Sequence, residues 1–238
     1  LQPPFFDAGA DDAVNFGAIG AVIGHELTHG FDDSGRKFDA QGNMTDWWTE
    51  ADGKQFEEKA ACFVDQYGGY AAVDDVKLNG KLTLGENVAD NGGLRIAPMA
   101  LGETLGGQTP APVEGFSANQ RLFLGWAQIW CQNATPEISR LLAQSDPHSP
   151  GCWRVNGVVA NMPDQVLRDY GLDYASLNAV KPDIILASAT AFGRGGPYSE
   201  RIGFDGIGQV MSGAVSRTGL PDQPIRTAVP YVDYATAL

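Results

Sequence analysis

The sequence predicts a mixed fold: a mainly α-helical segment over residues 1–163, followed by a small α/β, Rossmann-like fragment over 164–238. Three observations carry this. Apolar residues recur at helical spacing through the first segment. The later segment holds a compact β-like run, DIILASATAF at 183–192, then the turn-rich GRGGPYSERIG, then a helical pattern over Phe204 to Arg217. Strand, glycine loop, helix is the order of an α/β unit. Composition changes between the two. Residues 1–163 hold 21 acidic and 10 basic side chains, net −11, and residues 164–238 hold 8 and 6, net −2; all Trp, Cys and His residues precede 163. Composition alone fits two domains or a local fluctuation equally well.

In chain order, the first helix is expected from about Val14 to Gly30. Its most apolar part, Phe16 to Gly24, is short and interrupted by glycine, so it reads as a buried helix. A membrane span needs about 18 or more apolar residues in a row. A second helix is expected from Glu50 to Tyr70 and a third from Leu84 to about Gly102. A fourth runs from Ser117 to Cys131, where Leu122, Phe123, Trp126, Ile129 and Trp130 recur on one face. Ser117 is suited to cap it, because its hydroxyl can accept from a free amide of the first turn.

Composition also narrows function. The chain is 43% hydrophobic, enough for a core, and carries a formal net charge of −13. Such a balance disfavours nucleic acid and anionic membranes as partners. The opening LQPPFFDAGADDA has no Met, no basic n-region and no apolar h-region, which is expected of a chain whose signal was removed or of a fragment starting in mid-protein. Three cysteines, Cys62, Cys131 and Cys152, leave at least one unpaired within the chain, and none forms a C-x-x-C pair that would suit a cysteine zinc site.

The chemistry concentrates in AIGAVIGHELTHGFDDSG. On a helix, His25 and His29 lie one above the other and can bind one zinc ion together. Glu26, about 100° round the helix, is placed to take a proton from a metal-bound water without being a ligand. A lone histidine on an apolar helix is usually a satisfied core residue; two at this spacing around a glutamate point to zinc. A catalytic zinc takes three protein ligands and leaves one position open. No third histidine follows closely, so the missing ligand comes from elsewhere, and LTLGENVADNGG offers Glu86 and Asp90, again four apart on one helix face. Glu86 could complete a His-His-Glu set, and Asp90 could accept from the free N–H of a ligand histidine. Taken alone, this pair would be two solvated carboxylates. The remaining histidine, His148, sits in SDPHSPGCWRVNG with Arg154 six residues on. A histidine donor beside zinc would stabilise an oxyanion, and an arginine fork suits a carbonyl or carboxylate. Each alone would be read as a loop residue.

With these motifs in view, residues 1 to about 163 resemble the C-terminal catalytic half of a neprilysin-type zinc metallopeptidase, a thermolysin-like zincin. Four ordered stretches carry the likeness: LQPPFFD…DDAVNFGAIGAVIGHELTHGFDDSGRKFD, GNMTDWWTEAD, LNGKLTLGENVADNGGL and DPHSPGCWRVNG. The resemblance implies that His25, His29 and Glu86 bind Zn2+, Glu26 is the general base, Asp90 orients a ligand histidine, His148 stabilises the oxyanion and Arg154 holds substrate. It implies small peptide substrates cut near bulky apolar residues, and an extracytoplasmic location, periplasmic or secreted. It also implies a long N-terminal helical lobe and an upstream Asn-Ala-aromatic strand that binds substrate, neither within this chain, and partners for Cys62 and Cys131 in those missing parts.

From about Asp164 the text is similar to an internal piece of a class III CoA-transferase. The matches are YGLDYASL, KPDIILASATAFGRGGPY, RIGFDGIGQVMSG and VDYATAL. By resemblance Asp233 stands where that family has its acyl-carrying nucleophile, and Phe204 stands where related racemases have histidine. The family's first CoA-binding strands and C-terminal half are absent, so CoA is expected as a partner only if the fragment were complete, and no acyl transfer is expected. The join between the two falls between Val159 and Leu167. The whole reads as a zinc metalloendopeptidase catalytic segment fused to an incomplete α/β fragment. The alternatives are a CoA-transferase-like module, or an inactive chimeric fragment that retains only zinc binding.

Overall fold

The computed structural model describes residues 1–162, 164–180 and 182, and beyond these only positions 197, 219–220 and 223–224. The expected strand over 183–192, the expected helix over 204–217 and Asp233 lie outside the described residues. By packing, the chain divides into Leu1–Ile184 and Ile185–Leu238. In the second unit, β3 (Gly219–Leu220) pairs antiparallel with β4 (Gln223–Pro224).

The first unit is mostly helical. Asp11 accepts from the amide of Ala13 at 2.7 Å and opens α1 (Asp12–Asn15), two residues ahead of the expected start. The helix then widens into a π turn over Phe16–Gly20 before resuming as α2 (Ala21–Thr28), and it tightens into a 3-10 turn over His29–Phe31. The expected uniform helix from Val14 to Gly30 is thus corrected to three helical forms. The reason is partly packing. A Cβ at Gly17 would stand 1.8 Å from the Leu122 carbonyl oxygen, so this turn lies against another helix at a distance only glycine permits.

α3 (Glu50–Gly69) starts where expected, with the Thr49 hydroxyl accepting from the Asp52 amide. A short antiparallel hairpin, β1 (Ala71–Val73) and β2 (Val76–Lys77), follows; its strands are too short to show an alternating pattern. α4 (Leu84–Leu105) runs three residues beyond the expected end and continues through Pro98. α5 (Ala118–Ile129) carries the expected cap, and Gln120 reaches back to the Ser117 amide to complete a capping box. Two further helices, α6 (Pro136–Ser145) and α7 (Gly151–Val159), were not expected. Arg154 therefore stands on a helix and not in a loop, because Pro150 opens a helix whose first turn needs no proline N–H.

The core lies between α2, α4, α5 and α7 and is built on Ala21, Leu94, Leu101, Leu122, Trp126 and Val158. Each large side chain buried there is worth on the order of 1.5–3 kcal/mol. Arg121 ties α5 to α1, donating from Nε at 3.0 Å and Nη2 at 2.7 Å to Asp11 Oδ2. The first unit continues past residue 163 through α8 (Asp164–Asp169) and α9 (Tyr174–Val180). Val166, Leu167, Tyr170 and Leu172 pack on the core, and Gln120 Nε2 donates to the Gly171 carbonyl at 2.7 Å.

Candidate metal centre

Three chain segments deliver the site. The end of α2 and its 3-10 continuation present His25 and His29 to the same side, with ring centroids 4.6 Å apart and planes at 88°. The first two turns of α4 bring up Glu86 and Asp90. α7 and the residues before it bring up Arg154 and His148, and this segment is pinned to α4 where the Ser149 hydroxyl donates to Asn87 Oδ1 at 2.8 Å, both residues buried.

His25 Nε2 lies 3.0 Å from His29 Nε2 and 3.3 Å from Glu86 Oε2, and His29 Nε2 lies 3.6 Å from Glu86 Oε1. Ligand atoms at zinc bond lengths of about 2.0–2.1 Å in a tetrahedron stand roughly 3.3 Å apart, so this triangle has the size of a zinc site. All three residues offer a ligand atom within 4.8 Å of the others. Glu86 Oε2 is buried without a well-formed hydrogen bond. His148 Nε2 is also beside it, at 3.2 Å.

The other ring nitrogens decide the tautomers. His25 Nδ1 lies 2.8 Å from Asp90 Oδ1, and His29 Nδ1 lies 2.7 Å from Asp32 Oδ2. Each carboxylate accepts the Nδ1 proton, which turns both Nε2 lone pairs toward Glu86. Two lone pairs 3.0 Å apart repel unless a cation sits between them. The donor set therefore fits zinc: two imidazoles with fixed tautomers, one carboxylate with an unspent oxygen, and supporting carboxylates behind.

The carboxylates are themselves anchored. Arg154 donates to Asp90 through Nε at 2.7 Å and Nη2 at 2.6 Å, and its guanidinium lies 3.8 Å from the Trp130 ring centre. Asp32 Oδ1 accepts from the amides of Ser34 and Gly35 at 2.8 and 2.6 Å. His148 Nδ1 lies 2.8 Å from Asp146 Oδ1. Glu26 is exposed and shares with His25, His148 and Arg154 the lining of a cavity of about 110 Å³, walled on its apolar side by Phe5, Val22 and Trp130. A larger hollow of about 420 Å³, between Phe31, Trp47 and Phe56, touches none of these residues.

Burial, the largest single influence, works against a charged His25. The Asp90 hydrogen bond, the Glu86 carboxylate and the Asp90 charge outweigh it, against a smaller opposing effect of Arg154, and push its pKa from 6.5 to about 9. Burial likewise works to raise Glu86, but His25, His148 and His29 hold its carboxyl below the ordinary range. In the metal-free chain at neutral pH a proton on His25 thus fills the place a cation would take. Its folded pKa is raised, so its stabilising effect is complete below pH 6.5 and is lost as pH climbs through about 9. Metal-free protein is expected to melt at lower temperature at pH 9 than at pH 6.5. Zinc affinity moves the opposite way, rising roughly tenfold per pH unit until it levels near pH 9, because a proton must leave. Melting curves in chelator and competitive zinc titrations across that range check both signs.

The structure thus brings together His25, Glu26, His29, Glu86, Asp90, His148 and Arg154; Asp233 alone of the candidate residues lies outside the described part. Sequence reasoning missed four supports. Asp32 could have been suspected, as a carboxylate three residues after His29, and so could Asp146, two before His148. Trp130 and Asn87 carry no such signal, since their partners Arg154 and Ser149 are distant in sequence.

Residues 1–173 match the profile of peptidase family M13. The chain belongs to family M13. Residues 154–238 match CoA-transferase family III, so both profiles claim residues 154–173. Neprilysin-1 of Caenorhabditis elegans is 48% identical over 170 residues, covering 69% of this chain and 22% of that protein. Endothelin-converting enzyme 1 of Bos taurus is 46% identical over 164 residues, covering 68% and 22%. Among solved structures, the zinc metalloprotease Zmp1 of Mycobacterium tuberculosis in its open state aligns with a TM-score of 0.68 at 43% identity, over 73% of this chain and 28% of that one. This M13 chain spans about a fifth of the length of the curated relatives it matches.

Proposed function

We propose that this M13 chain hydrolyses peptide bonds at a zinc ion held by His25, His29 and Glu86. The observation that carries the reading is the triangle of ligand atoms backed by Asp90 and Asp32 on the two Nδ1 atoms. When bound, zinc supplies a Lewis acid that polarises the scissile carbonyl and acidifies the attacking water. Glu26 takes the proton of that water and passes it to the leaving amine. His148, oriented by Asp146, donates from Nε2 to the oxyanion. Asp90 holds His25 in the required tautomer, and Arg154, fixed by Asp90, binds a substrate carbonyl or carboxylate at the edge of the cavity. Phe5, Val22 and Trp130 favour a substrate with an apolar side chain next to the cleaved bond. By its likeness to family M13, its substrates are small peptides in an extracytoplasmic compartment. Among the described residues, no helix is long and apolar enough to cross a membrane. Acyl transfer by the CoA-transferase-like segment is not proposed.

The test is cleavage of quenched fluorescent peptides carrying bulky apolar residues. Cleavage is expected with zinc-loaded chain, is lost on chelation and returns with zinc. A chain loaded with one zinc that leaves every such peptide intact would refute the activity.

A further inference from the structure

We infer that Gly92 and Gly93 are positioning residues: they set the distance between α2 and α4 and thereby the distance between Glu86 and the two histidines. This rests on the zinc reading above. The ligands sit on two different helices, so the triangle survives only if those helices approach to one separation. A Cβ on Gly93 would stand 2.4 Å from the Ala21 carbonyl oxygen and 2.7 Å from the His25 amide nitrogen, both backbone atoms that cannot step aside. A Cβ on Gly92 would stand 2.2 Å from Thr28 Oγ1 and 2.5 Å from Thr28 Cγ2, with Thr28 Cβ at 2.9 Å. Gly24 answers from the other helix, where an added Cβ would meet Gly93 Cα at 3.0 Å. These contacts flank His25 and lie nearly two turns beyond Glu86 and less than one turn beyond Asp90 on α4. A methyl group at either position pushes α4 outward, opening the 3.3 Å and 3.6 Å gaps between Glu86 and the histidines and loosening the 2.8 Å His25–Asp90 contact. Sites held only an ångström too loosely lose their function.

The two positions differ in a way that makes the inference testable. The Gly92 obstacle is a side chain that can be removed, whereas the Gly93 obstacle is backbone. Gly102, on the same helix, has nothing within 4 Å of its missing Cβ and serves as the control. Four variants are compared with wild type: Gly92→Ala, Gly93→Ala, Gly102→Ala and the double variant Thr28→Ala with Gly92→Ala. Co2+ affinity and the visible spectrum of bound Co2+ report the ligand geometry, and melting in chelator reports helix packing without metal.

Gly92→Ala and Gly93→Ala are expected to weaken Co2+ binding by about a hundredfold, within the range seen for disturbed supporting groups, and to dim the tetrahedral absorption bands. Adding Thr28→Ala to Gly92→Ala restores affinity to within about tenfold of wild type, since only the 2.9 Å Cβ contact remains to be relaxed. Gly102→Ala stays within about twofold. A purely structural role would lower melting temperatures and leave the affinity and spectrum of the folded protein untouched, and that result would overturn the inference. If Gly93→Ala does not fold, the Gly92 pair decides, and failure of Thr28→Ala to rescue it overturns the inference as well. If the wild type takes up no Co2+, the metal reading fails by itself, and the melting comparison of Gly92→Ala with and without Thr28→Ala still decides the spacing.

Discussion

Glu86→Ala is expected to abolish stoichiometric zinc retention. Wild-type protein dialysed against metal-free buffer should keep about one zinc per chain, and the variant close to none, with affinity lower by more than about a hundredfold. Glu86 is the one carboxylate of the triangle, and its removal leaves two imidazole nitrogens 3.0 Å apart with no anionic donor to complete the set. It is also the residue that ties the site together across segments, with Oε2 at 3.3 Å from His25, 3.2 Å from His148 and 3.8 Å from Arg154. Metal analysis after equilibrium dialysis checks the result. Undiminished one-to-one binding by the variant would show that the ion sits elsewhere.

Glu26→Gln is expected to separate chemistry from binding. Glu26 follows a ligand histidine on α2 yet points to solvent at the mouth of the cavity, and the ligand triangle does not include it. Glutamine keeps the shape and removes the base, so zinc affinity should stay within about twofold while peptide cleavage falls by about a thousandfold or more, the range of a lost general base. Single-turnover cleavage with zinc-loaded protein measures the second effect and isothermal titration the first. Equal cleavage by the variant would move the base to another residue.

Much of this centre was legible in the chain because its parts are local. His25 with His29 and Glu86 with Asp90 each lie four apart, and a helix turns that spacing into a shared face whatever surrounds it. The same holds for α5, whose apolar period and Ser117 cap depend on neighbours in sequence. Local rules failed where the backbone answered to distant groups. The π turn at Phe16–Gly20 fits against α5, where a Cβ on Gly17 would meet the Leu122 carbonyl oxygen. The carboxylates behind the ligands were half legible: Asp90 and Asp32 are close in sequence to ligand residues, but the fork of Arg154 onto Asp90 joins residues 64 apart.

The sequence by itself carried the candidate donors, their shared helix faces and the likeness to family M13, because motif spacing on a helix converts directly into direction. Tertiary structure alone decided that the two helices meet closely enough to make one site, that Asp32 as well as Asp90 stands behind a histidine of the triangle, and that Arg154 spends two donors on Asp90 under the Trp130 ring. Those outcomes depend on the separation of helices, and that separation is set by side chains absent at Gly92 and Gly93, by the core under α4 and α5, and by hydrogen bonds that no local spacing contains.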